Sequence, residues 1–72
     1  MALRKRSFTL SGHRTSVALE PEFWAVLDAE ASRTQASLAG YVAEVDRGRR
    51  DRPLASALRL KALALAAGKG HE

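Results

Sequence analysis

The sequence predicts a small, mainly α-helical domain with a single N-terminal β-strand that must find a partner outside itself. Three observations carry this expectation. The run Arg14-Thr15-Ser16-Val17-Ala18-Leu19 alternates polar and apolar residues with the period of a strand and stops at Glu20-Pro21. Downstream segments carry apolar residues at helical spacing. The chain has 72 residues and no cysteine, so its core is small and no disulfide can staple it. A strand with no neighbour leaves a row of N–H and C=O groups unpaired, so it pairs either with its own short N-terminus or with a second copy.

Residues 1–13 form a basic arm in which Ser7-Phe8-Thr9-Leu10 has strand character and Ser11-Gly12 has turn character. Two arrangements are open for it. Residues 7–10 can turn at Gly12 and pair with the strand of the same chain, which widens a two-chain ribbon to four strands. Alternatively the arm stays flexible and orders only on a ligand, and this second arrangement is the one expected. Over residues 14–20, Arg14, Ser16 and Ala18 point to one side and Thr15, Val17 and Leu19 to the other.

A first helix is expected over residues 21–33. Proline suits the first turn because its missing N–H has no intrahelical partner there. Glu20 and Glu22 favour this start through the helix dipole and Arg33 favours the end. Phe23, Trp24, Leu27 and Ala31 make its apolar stripe.

The second helix is expected over residues 37–46, capped by Ser37, with Leu38, Tyr41, Val42 and Val45 at i, i+3, i+4 and i+7. Gly40 within it costs about 1 kcal/mol relative to alanine. Residues 47–53 read as a solvated arginine-rich linker broken by Gly48 and Pro53. A third helix follows over residues 54–67, and residues 68–72 are expected to fray. Leu54, Leu58, Ala62 and Leu65 share one side of this helix while Leu60 and Leu63 lie nearly opposite, which asks for a second surface, expected to be another subunit.

Twelve Lys and Arg stand against eight Asp and Glu, and their placement matters more than the excess. Arg4, Lys5, Arg6 and Arg14 occupy the first 14 residues without an acid among them. Arg47, Arg49, Arg50 and Arg52 form a second cluster, interrupted by Asp51. No apolar run reaches the roughly 20 residues that span a bilayer, and the N-terminus lacks the pattern of a signal peptide, so a cytoplasmic protein is expected. The two histidines, His13 and His71, are far apart in sequence, and without cysteine no metal site and no cofactor is expected. The carboxylates fall on helix surfaces or ends with no histidine or cysteine to work with them, so no enzymatic activity is expected.

The run KRSFTLSGHRTSVALEPEFWAVL, followed by SLAGYVAEVD and LASALRL, resembles a bacterial subgroup of ribbon-helix-helix proteins with the pattern KRS…GHRTS…LEPEFW. The likeness covers residue 5 to about residue 61, and its most specific parts are GHRTS and LEPEFW. It implies a homodimer in which two strands pair antiparallel into a ribbon that enters the DNA major groove, with the helices of both chains interlocked beneath. Dimers of this kind can associate further on DNA.

Carried over by position, the resemblance makes Arg14, Ser16 and Ala18 the base-facing residues. Arginine is the strongest reader of the three because it donates two hydrogen bonds to guanine. Ala18 offers only methyl contact, so base readout is thinner than in a typical member. Ala36, Ser37 and Leu38, at the start of the second helix, match the family's phosphate anchor. Lys5, Arg6 and His13 are further expected phosphate contacts. Thr15, Val17 and Leu19, with Trp24, Leu27, Tyr41, Val42 and Val45, are the expected dimer core. The function implied is a sequence-specific transcriptional regulator. Two other classes remain open on the same fold: an antitoxin-type module with a toxin as protein partner, and an adaptor that docks on a larger protein.

Overall fold

A computed structural model describes residues 2–68. Strands β1 (Arg4–Leu10) and β2 (His13–Leu19) precede helices α1 (Pro21–Arg33), α2 (Leu38–Gly48) and α3 (Leu54–Ala66). The strands form an antiparallel hairpin in register from Arg4↔Leu19 to Leu10↔His13. Ser11 and Gly12 close it with φ of 52° and 83°. Positive φ at both central residues is the signature of the tight turn whose twist matches that of the strands it joins.

This pairing corrects the expectation of a flexible arm. Residues 4–10 are a strand, and β2 finds its first partner in its own chain. The reason lies in the side chains that β1 turns inward. Phe8 and Leu10 are buried beside Val17 and Leu19 of β2, and the four make one apolar sheet face. That face packs on Trp24 and Leu27 of α1, Val42 of α2, and Leu54, Leu58 and Ala62 of α3.

α1 begins at Pro21, where the N–H groups of Phe23 and Trp24 donate to the Glu20 carbonyl. It ends in a Schellman motif: Gln35 takes a φ of 60°, its N–H donates to Ser32 O, and the Ala36 N–H donates to Ala31 O at 2.8 Å. α2 is capped by the Ser37 hydroxyl, which accepts from the Gly40 N–H at 3.0 Å. A Cβ at Gly40 would stand 3.2 Å from that hydroxyl, a tight contact to which the Ser37 side chain would have to yield. The helix runs to Gly48, beyond the expected end at residue 46. Its last turn is held by Arg47 on Glu44 and by Arg49 on Asp46, both i,i+3 pairs.

α3 packs on α1, α2 and β2. Gly68 lies just past its end, with its N–H on Leu65 O. The remainder of the expected frayed tail, with His71, lies outside the described residues. An ion pair ties α3 to the start of α1, because the Arg59 guanidinium donates to both Glu20 carboxylate oxygens at 2.9 and 3.4 Å. Leu60 and Leu63 stay 46% and 54% exposed on the far side of α3. No helix among the described residues is long and apolar enough to cross a membrane.

Candidate nucleic-acid interface

The alternation of the hairpin sorts its side chains into two sets. Phe8, Leu10, Val17 and Leu19 face the helices. The opposite face carries three cross-strand pairs, Lys5↔Ala18, Ser7↔Ser16 and Thr9↔Arg14. Five of these six residues are exposed and Ala18 is half-buried. No acid occurs from residue 4 to residue 19, so the face is polar and cationic without a carboxylate to neutralise it.

Hydrogen bonds order this face. An Arg14 guanidinium N–H donates to the Thr9 hydroxyl at 3.2 Å, and the Ser7 and Ser16 hydroxyls share a bond of 2.9 Å. The structure thus brings Arg14, Ser16, Ala18 and Lys5 together. It adds Ser7 and Thr9, which sequence reasoning left out of the site. Their signal was the polar alternation Lys5, Ser7, Thr9 about Arg6, Phe8 and Leu10, hidden because Arg4 and Arg6 break the apolar half of the pattern.

Arg6 lies apart from these pairs. It sits on the inner face, where its guanidinium donates to both carboxylate oxygens of Asp28 at 3.0 and 3.2 Å and rests 4.8 Å from the Trp24 ring centroid. In the structure its charge is paired with Asp28 of α1. His13 is exposed where β2 leaves the turn.

At the start of α2 the three residues of the expected anchor differ in what their backbones offer. Ala36 has already given its N–H to Ala31 O, so its backbone donor serves the end of α1. Ser37 supplies the cap, and Leu38 opens the helix, where N–H groups have no intrahelical acceptor.

The residues expected in a dimer core divide in two. Val17, Leu19, Trp24, Leu27 and Val42 are buried by their own chain, with Phe8 and Leu10 completing the cover that a second copy was expected to give. Thr15, Tyr41 and Val45 remain half-buried. The Tyr41 hydroxyl oxygen is shielded from water yet has no hydrogen-bond partner among the described residues. Burial first, and the nearby Glu30 carboxylate second, push the phenol above its ordinary pKa, with Arg33 opposing.

Among the described residues no three of His, Cys, Asp and Glu gather in a metal-holding group. The chemistry this surface offers is recognition: a cationic, hydroxyl-rich ribbon on one side of a helical support. Ribbon-helix-helix domains are in general DNA-binding regulators that dimerise and are typically non-enzymatic. No curated protein and no solved structure matches the chain. The family model described as ribbon-helix-helix domain matches residues 3–66. With that match spanning both strands and all three helices, the chain belongs to the ribbon-helix-helix family.

Proposed function

We propose that the protein is a small dimeric, sequence-specific DNA-binding regulator of transcription, acting in the bacterial cytoplasm by occupying an operator. The observation that carries this reading is the outward face of the hairpin, cationic and hydroxyl-bearing with no acid. Such a face suits the edges of bases and the phosphates beside them.

In the dimer the free edge of β2 pairs antiparallel with β2 of the second copy. Each β2 keeps its own β1 on the other side, so the ribbon has four strands. Neighbouring strands lie about 4.8 Å apart, so the two outermost are separated by about 14 Å. The major groove is about 12 Å wide. The inner pair therefore enters the groove, bringing Arg14, Ser16 and Ala18 to base edges. The outer strands ride on its walls, bringing Lys5 to phosphates, with His13 at the turn. Ser37 and Leu38 at the start of α2 give a further phosphate contact through helix N–H groups. Thr15, Tyr41 and Val45 are the half-covered residues left for the second copy.

Selection of sites from a random DNA pool at two salt concentrations tests the reading. Enrichment of a short symmetric or repeated motif that survives the higher salt supports it. Binding without a motif that collapses with salt reports only counterion release and overturns sequence-specific reading. One observation favours a second reading: Leu60 and Leu63, exposed on α3, suit a protein partner in an adaptor or antitoxin-type role. That reading gains if a motif is absent and a second small protein co-purifies in a fixed ratio.

A further inference from the structure

We propose that β1 takes part in reading DNA through Thr9 and Ser7, which act as positioning residues for Arg14 and Ser16. The inference rests on the DNA-binding function proposed above and adds a second strand to its specificity apparatus.

The geometry is that of two directly opposed cross-strand pairs, Thr9↔Arg14 and Ser7↔Ser16. Side chains so placed lie closest together across an antiparallel ladder, within reach of a direct bond. Arg14 is long and flexible, and its bond to the Thr9 hydroxyl at 3.2 Å is what fixes its direction. Competing carboxylates are absent from residues 4–19. Of the acids that follow along the chain, Glu20 is engaged by Arg59 and Asp28 by Arg6.

Threonine suits this task for two reasons. Its β-branch restricts χ1, so the hydroxyl is held in few positions. Its oxygen accepts while its O–H still donates, so Thr9 can take an N–H from Arg14 and give its own proton to a phosphate oxygen. A phosphate on the groove wall and a base edge on its floor are then linked through one hydroxyl. Ser7 stands in the same relation to Ser16 at 2.9 Å, where either oxygen can donate and the other retains a free O–H. The placement of the reading side chains is thereby tied to the position of the DNA backbone.

The test uses the full chain and the motif selected by the wild-type protein. Affinity is measured for that motif and for a version with the Arg14-contacted base changed, in the wild type, Thr9→Val and Thr9→Ser. Valine keeps the branch and the strand preference but removes the acceptor. The expected result is a loss of about fivefold in the preference of Thr9→Val for the motif, the scale of one hydrogen bond. Affinity for unrelated DNA falls only by the single phosphate contact of the hydroxyl, less than the loss on the motif, thermal stability stays unchanged, and Thr9→Ser restores the preference. An unchanged preference in Thr9→Val would overturn the positioning role while leaving DNA reading intact. An equal loss on all DNA with lowered stability would reduce Thr9 to a structural residue and also overturn it. If the wild type selects no motif, the underlying reading fails, and this inference with it.

Discussion

The guanidinium of Arg6 lies 4.8 Å from the ring centroid of Trp24, sandwiched into place by its two bonds to Asp28. The same indole donates from Nε1 to the Arg4 carbonyl at 2.8 Å. Trp24 thus holds β1 twice, once by its face and once by its N–H, and a segment with three consecutive cations becomes a strand.

Trp24→Phe tests this anchoring. Part of the ring face is kept, the N–H donor to the Arg4 carbonyl is lost, and the smaller ring leaves a void in the core. A loss of about 1–3 kcal/mol is expected in denaturant unfolding. Hydrogen exchange should show the protection of β1 amides falling more than that of α1 or α3. Uniform loss across all elements would show that β1 and the helices melt as one unit.

Arg14→Ala and Lys5→Ala separate reading from holding. The first should relax preference at one base position, on the scale of about 1–3 kcal/mol. The second should weaken binding to all DNA alike and reduce the salt slope by about one unit. Binding titrations against matched and altered sites at several salt concentrations distinguish the two. An Arg14 variant with undiminished preference would move base reading away from β2.

Glu20 makes stability depend on acid. The hydrogen bond from Arg59, with help from its own backbone N–H, holds the carboxyl below its ordinary value of 4.5. The folded state therefore binds its proton less readily than the unfolded chain. The contribution is fully present above pH 4.5 and is lost as the pH falls through the folded-state value. Urea midpoints measured from about pH 7 to about pH 2 should fall less steeply in Glu20→Gln than in the wild type.

Tyr41→Phe removes a shielded hydroxyl that has no partner among the described residues. Stability should hold or rise by up to about 1 kcal/mol, since an unmet polar group is deleted at little loss of shape. The raised phenol pKa adds a second sign. The neutral form is favoured in the fold, so wild-type stability declines as the pH rises past the ordinary value of 10.0, and the phenylalanine variant should lack that decline. A clear loss at neutral pH would instead mean that the hydroxyl is bonded in the assembled protein.

The helices were legible because their signals are local. Pro21 with flanking acids, the Ser37 cap, and stripes such as Leu54, Leu58, Ala62 and Leu65 are contained within one or two turns. The order of β2 was legible from its alternation. What stayed hidden in β1 depended on distant residues. Arg4 and Arg6 at inward positions read as a solvated arm until Asp28 and Trp24, 22 and 20 residues on, supply their partners. Ser11-Gly12 lacks the Asn-Gly or Asp-Gly pair that most strongly marks a tight hairpin turn. Ser7 and Thr9 were missed with their strand, and the bond of the Ala36 N–H to the end of α1 was not legible either.

The distribution of charge between the two strands bears on how far assembly can go. β1 carries Arg4, Lys5 and Arg6 in seven residues, whereas His13 and Arg14 lie at the turn end of β2 and its last five residues are uncharged. Two β1 edges brought side by side would set six cations against one another with no acid in either strand, and lysine at an open edge already discourages pairing. Two β2 edges meet no such barrier. On charge alone, β2 is the edge better fitted to receive a copy. Where two copies join there as proposed, the β1 edges left outside disfavour further addition, and growth would stop at a closed pair instead of running on into a fibre.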